Sequence, residues 1–388
     1  MYIEAFGDET ILRPSTVIKF AFCLPLTLLA GPQPRFQEHV IATDLKGGYQ
    51  VVAADLNHDG KPDLIALASG MTELVWFENP GWQRHVIATG LKRMINLAVM
   101  DIDGDGIPEI LLAHEFANLA KNSIGVVSLL ESHGKPLEPW TVREIDRLTT
   151  SHRLRIANGM FINAPLTGAA ADAPDYRDKV PLVAYKPGDW NRRLVSAEDE
   201  GVVHGILIND WNHDGLEDIL TASFLGIHVN LAQQDGTWKR VKIAGGDPAP
   251  WPKGGSSDIA IGHMGKQRFL TAIEPWHGNQ VVVYMEQGRT WKRQVIDSEL
   301  VDGHTIVTAD LDGDGRDEII AGFRGEGRSV YIYTLVKGKW TRRDLDKGGI
   351  AAAACIALDL NGDGRKDIAC IGSASTNLKW YENMGKLK

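Results

Sequence analysis

The chain has 388 residues, 44% of them hydrophobic and 23% charged, the balance of a globular protein with a large core. Its formal net charge of −9 excludes a general nucleic-acid binder, which needs a basic surface to neutralise phosphates. No segment reaches the roughly 18 consecutive apolar residues expected of a membrane-spanning helix.

At the N-terminus, residues 17–30 (VIKFAFCLPLTLLA) form a short apolar stretch that ends in small residues before Gly31 and Pro32. This resembles a secretory h-region with its cleavage site. Residues 1–36 are therefore expected to be a signal peptide or disordered leader, and the protein to be secreted or periplasmic. Glu4, Asp8 and Glu9 are unusual for the segment that precedes an h-region.

From residue 37 onward an acidic pattern recurs, D-x-[DN]-x-D-G-x-x-[DE]. Its ligand positions are Asp55, Asn57, Asp59 and Asp63, then Asp101, Asp103, Asp105 and Glu109, then Asp210, Asn212, Asp214 and Asp218. Two more copies follow, with Asp310, Asp312, Asp314 and Glu318, and with Asp359, Asn361, Asp363 and Asp367. β-branched apolar runs flank each copy, which reads as strand, acidic turn, strand. Asp55 to Asp101 is 46 residues, whereas Asp101 to Asp210 and Asp210 to Asp310 each leave room for two units. Degenerate copies at 151–158 and 257–262 fill those gaps, so there are seven units of about 50 residues.

Six units carry a late tryptophan, at Trp82, Trp140, Trp190, Trp238, Trp291 and Trp340, which suits blade packing. The seventh stops after Trp380, and residues 38–43 supply its missing strand. The expected fold is all-β: a seven-bladed propeller of four-stranded antiparallel blades over 37–388, closed by the N-terminal strand so that no blade edge is left unpaired.

Carboxylates at positions 1, 3, 5 and 9 of a tight turn suit Ca²⁺, a hard cation that takes six to eight oxygens at about 2.3–2.6 Å. Up to five structural calcium ions are expected. The five turns hold more acidic ligands than the chain's net excess of nine, so without a cation each cluster repels itself. Cys355 and Cys370 flank the last turn at nearly matched distances; a cross-strand disulfide and two buried thiols are both compatible with that spacing.

Six positions before the turn, three units carry histidine: His152, His204 and His304, with Tyr49, Ile95 and Ala353 at the equivalent places elsewhere. Six residues of strand span about 20 Å, so these histidines lie at the opposite end of the channel-lining strands from the acidic turns. Neutral imidazoles that converge with one open position make a catalytic Zn²⁺ site. Loops returning to that mouth carry His114 and Glu115, the insertion 164–179 with Tyr176, then Glu274, Trp276 and His277, and Arg324. Tyr49, Arg153, Glu274, Trp276 and Arg324 are the expected contacts to a small carbohydrate. His277, or else Tyr176, is the expected general base.

The acidic turns resemble FG-GAP/VCBS repeats over nearly all of 37–388. A closer resemblance is to the propeller domain of the aldos-2-ulose dehydratase family. It rests on Ser151-His152-Arg153, residues 164–168 and 174–178, Ser256-Ser257-Asp258, residues 274–278 and Asp302-Gly303-His304. That resemblance implies a zinc ion in the propeller cleft and dehydration of keto-sugars such as 1,5-anhydrofructose. No cupin or lectin-like segment follows residue 388, so a second, isomerising step is not expected. The expected function is a metal-dependent carbohydrate lyase or dehydratase acting at the channel mouth. The alternative is a non-catalytic, calcium-stabilised propeller that binds glycan or protein.

Overall fold

The computed structural model describes residues 33–288 and 290–386. The leader expected over 1–36 lies outside the described residues as far as residue 32. The described residues hold 28 strands and one short 3-10 turn, Ala120–Asn122. The strands form seven four-stranded antiparallel sheets, the blades. Blades 1 to 6 take their strands in chain order from 48–88, 96–147, 151–200, 203–244, 258–297 and 303–347. Blade 7 combines Ala352–Leu358, Asp367–Gly372 and Leu378–Asn383 with the N-terminal strand Phe36–Ala42, so both chain ends close the ring.

Burial along a blade explains its residue pattern. The second strand is sandwiched between neighbouring blades and is apolar on both faces: Asp63–Ala68, Asp218–Ser223, Glu318–Phe323 and Asp367–Gly372 are buried throughout. Outer strands such as Thr141–Arg147 face water and are mostly exposed. The core accordingly lies between blades. One cluster joins Ile65, Leu67 and Trp76 of blade 1 to Leu97, Ile110 and Leu112 of blade 2. Each buried Leu or Ile there contributes about 1.5–3 kcal/mol.

A polar staple repeats at the ring's periphery. Near the end of one blade's outer strand an aspartate receives donors from the next blade. Asp146 accepts from Tyr185 (2.7 Å) and Arg192, and Asp199 from Arg240 (2.6 Å) and Ser223. Asp247 accepts from Gln280, Asp297 from Tyr333 and Arg342, Asp346 from Tyr381 and Lys379, and Asp44 from Arg84. In blades 1, 3, 4, 5 and 6 the arginine stands two residues after the repeat tryptophan. Blade 2 has Val142 at that place, and Thr89 follows blade 1's outer strand, so the junction of blades 1 and 2 lacks this staple. It is joined by apolar contact, the Trp140 N–H bond to the Ile87 carbonyl (3.0 Å) and two buried hydrogen bonds between the Gln50 amide and the Leu97 backbone (2.7 and 3.0 Å).

The two units without acidic turns close their inner hairpins more tightly. Asn158 (φ 50°) and Gly159 (φ 68°) turn one, with residues in the left-handed region that a two-residue hairpin requires. Cys355 and Cys370 are direct cross-strand partners in blade 7 and are disulfide-bonded.

Candidate functional site

The acidic turns and the histidines occupy opposite ends of the inner strands. In the turns, the position-1 aspartate accepts backbone N–H groups across the loop. Asp55, for example, takes those of Asp59 (3.1 Å) and Gly60 (2.8 Å). The glycine at position 6 has φ of 81–88° in all five copies.

The buried position-9 acid separates the copies into two kinds. Where it is aspartate, both oxygens take backbone donors: Asp63 from Leu56 and Asn79, Asp218 from Trp211 and Ala232, Asp367 from Leu360 and Asn383. Where it is glutamate, one oxygen takes a donor, from Ile102 for Glu109 and from Leu311 for Glu318. The longer side chain brings its carboxylate to the others. Asp101, Asp103 and Glu109, and likewise Asp310, Asp312 and Glu318, place ligand oxygens within 4.8 Å of one another. Burial, reinforced by the neighbouring aspartates, pushes Glu318 up to about 8 and Asp63 up to about 6.

At the other end, a cavity of about 380 Å³ opens among the blades. Its lining includes Tyr49, Arg93, Phe116, His152, His204, Trp276, His277 and Arg324. His152, His204 and His304 are each 1% exposed. Burial first, then Arg153 for the first two and Arg324 for the third, holds them well below the usual histidine value and so neutral.

Three rings bring ligand nitrogens within 4.8 Å of one another: His204, His277 and His304. Register arithmetic had grouped His152, His204 and His304; the two sets share two members. His152 lies beside His204, with ring centroids 5.1 Å apart, and its Nε2 meets the Tyr49 hydroxyl at 2.8 Å.

The surroundings of two of the three rings fix their tautomers. His304 Nδ1 lies 2.6 Å from the Ala353 carbonyl, which can only accept, so Nδ1 donates and Nε2 carries the lone pair. That Nε2 is buried and has no partner. His277 Nδ1 lies 3.1 Å from the Asp302 carboxylate, which again leaves Nε2 unprotonated. Arg324 also approaches this nitrogen (3.3 Å), but its own hydrogen bonds go to Asp302 at 3.1 and 3.2 Å. His204 Nδ1 lies 3.1 Å from Ser257 Oγ, and its Nε2 is 3.3 Å from that of His277 and 3.4 Å from an Arg153 nitrogen. Ser257 Oγ can accept or donate, so His204 either gives an N–H···N hydrogen bond to His277 or, with its proton on Nδ1, faces it lone pair to lone pair, an arrangement that a cation between them relieves. Two nitrogens on a tetrahedral ion at about 2.0–2.1 Å stand about 3.3 Å apart, so the donor set fits zinc. The partners on Nδ1 are those that orient metal-bound histidines.

Other expected residues have different places. Glu274 is fully buried, accepting from Tyr284 and from Arg293 (2.8 Å), so it braces blade 5 and does not line the cavity. The expectation that it contacts substrate is corrected. Tyr176 is not among the cavity's lining residues; its ring packs edge-on against Trp276 (5.5 Å) and Phe224, one layer behind the lining. Arg153 is buried and donates to the His204 carbonyl at 2.7 Å. Trp276, Arg324 and Tyr49 do line the cavity. Sequence reasoning named Ser257 and Asp302 inside segments that carry the resemblance but gave neither a supporting role, and it missed Phe116, which adjoins His114 and Glu115.

A family resemblance is decided by this central region. The chain is similar to the aldos-2-ulose dehydratase propeller. The family model described as the β-propeller domain of aldos-2-ulose dehydratase matches residues 124–287, which include His152, His204 and His277. FG-GAP-like repeats match 55–112 and 310–370, which include four of the five acidic turns. Aldos-2-ulose dehydratase of Phanerodontia chrysosporium is 28% identical over 237 residues, covering 52% of this chain and 26% of that protein. The match thus spans about a quarter of the relative's length. Among solved structures, virginiamycin B lyase from Staphylococcus aureus aligns over 92% of this chain and all of its own, with a TM-score of 0.58 and 12% identity. The WD40 propeller domain of Doa1 aligns over 89% of this chain and 97% of its own, with a TM-score of 0.56 and 15% identity. At such identities these two show the shared fold alone.

Proposed function

We propose that the protein is a metal-dependent lyase that dehydrates a keto-sugar or oxidised glycoside in the mouth cavity. The observation that carries this reading is the convergence of His204, His277 and His304, each with its Nδ1 engaged and its Nε2 left for a ligand. A divalent ion such as zinc, when bound there, supplies Lewis acidity to a ketone oxygen and so acidifies the adjacent C–H. The chain's own groups do the rest. Asp302 and Ser257 hold the imidazoles in place, and burial keeps them neutral and able to ligate. Trp276 offers an apolar face and Arg324 a donor to a polar ligand. The likeness to aldos-2-ulose dehydratase supports the substrate class.

The acidic turns are read as structural calcium sites, supported by their crowded carboxylates. The disulfide among buried cysteines supports an oxidising, extracytoplasmic setting. The test is metal analysis and keto-sugar turnover of His204→Ala beside the parent protein. Loss of about one zinc equivalent together with loss of turnover is expected. A variant that keeps both sinks the reading, and a parent protein holding calcium alone favours the non-catalytic binder.

A further inference from the structure

The geometry points to Tyr49 and His152 as the acid–base couple of the cavity: His152 takes the proton beside the polarised carbonyl, and Tyr49 gives one to the departing hydroxyl. This rests on the dehydratase reading above and adds the residues that move the protons.

The other histidines and arginines at the cavity are already engaged. His204, His277 and His304 have their Nδ1 atoms held by Ser257, Asp302 and Ala353. Arg324 is held by Asp302, and Arg93 by Glu115. Tyr49 and His152 are bonded to each other, phenol oxygen to Nε2 at 2.8 Å, and both line the cavity. His152 Nδ1 is buried without a partner, whereas the three other rings have theirs engaged. Leaving a buried nitrogen unpaired is unfavourable, and a substrate contact there would offset it. The couple also lies against the three-histidine cluster. The Tyr49 ring is 5.2 Å from that of His304, the His152 ring is 5.1 Å from that of His204, and Phe116 packs on His152 at 5.4 Å. Both groups border the space beside the cluster, where the carbons next to a bound carbonyl would lie.

The step balances. The C–H bond next to the carbonyl breaks, its proton goes to His152 Nδ1, and its electron pair forms the new C=C bond. The C–O bond of the β-hydroxyl breaks, and that oxygen takes the Tyr49 proton and leaves as water. The His152 Nε2 proton then returns to the Tyr49 oxygen along their hydrogen bond. Exchange with solvent resets the histidine tautomer.

The test combines ¹⁵N NMR of the full-length protein with turnover of 1,5-anhydrofructose in D₂O. Zinc is expected to shift the ring nitrogens of His204, His277 and His304 and to leave those of His152 in place. In the metal-free protein, Tyr49→Phe is expected to shift His152 Nε2. Tyr49→Phe and His152→Gln should each keep the parent's zinc content and lower kcat/KM about 10²–10⁴-fold. Tyr49→Phe should still exchange the carbon-bound hydrogen for deuterium, and His152→Gln should not. Zinc-induced shifts at His152, or either variant within threefold of the parent, would overturn the assignment. A parent protein that binds no zinc and exchanges no hydrogen overturns the dehydratase reading as well. The zinc titration of the parent needs no variant to fold.

Discussion

The two ends of the inner strands gather ligand-type groups in opposite ways. Each acidic turn draws its oxygens from nine consecutive residues that lie largely in water. The histidine cluster draws its nitrogens from blades 4, 5 and 6, and they are mostly out of water. A local turn can gather hard, hydrated ligands by backbone geometry alone. A buried cluster of neutral nitrogens exists only once the ring has closed, and every ring in it needs a second partner to fix its tautomer. The first kind suits an ion that holds a fold together, and the second suits one that meets a substrate.

The sharpest way to probe this contrast is at Asp302. Its carboxylate fixes His277 and has no counterpart at the acidic turns. Asp302→Asn should weaken zinc affinity about 10–100-fold, read by competition with a chromogenic chelator, and leave calcium content unchanged. An unchanged zinc affinity would show that His277 is not oriented in this way.

The second probe addresses the acidic turns themselves. The glutamate copies bring three carboxylates together, and the aspartate copies commit both oxygens of the ninth residue to backbone. Calorimetric titration of calcium into metal-free protein should therefore resolve two tighter sites and three weaker ones. Glu109→Gln and Glu318→Gln should each delete one of the tighter sites. Calcium at about a hundred times its Kd adds about 2.7 kcal/mol of stability per site. Five equal sites would erase the distinction.

The smallest effect concerns acid. Burial, aided by Arg240 and Lys242 and opposed by Asp199, holds His228 down to about 4 against an ordinary 6.5. The unfolded chain takes up that proton near 6.5 and the folded one only near 4. Stability from this group is complete above 6.5 and is lost as the pH falls through that window. His228→Gln should flatten part of the fall in unfolding midpoint between pH 6.5 and 4, measured by thermal denaturation. An equally steep fall would place the acid sensitivity elsewhere.

The fold was legible because its markers repeat. Acidic turns and late tryptophans recur at blade spacing, and the two gaps between them locate the degenerate units. Three of the four clustered histidines, together with Tyr49, were legible for a related reason: strand register carries height along the channel. His277 was expected at the mouth, yet its place in the three-histidine cluster was not, because it enters from a loop after the second strand of blade 5. Register arithmetic on inner strands does not reach it. Glu274 was misplaced for a neighbouring reason. It ends that same strand, where its side chain turns toward Tyr284 and Arg293 inside the blade, whereas Trp276 and His277 lie beyond the bend. Asp302 and Ser257 act only through other side chains, so residue type alone does not announce them.

The aspartate staples around the periphery bear on how the ring comes apart. Six junctions are riveted at the rim by a carboxylate, and the one between blades 1 and 2 has no such rivet: oil, a strand-to-strand amide and the Gln50 hydrogen bonds to the Leu97 backbone hold it. A closed ring fractures first at its weakest seam. That seam lies away from blade 7, where the two chain ends meet, and both edges it would expose belong to continuous chain. An opened ring is thus a hinged horseshoe, still covalently whole, which can snap shut without searching for its missing strand.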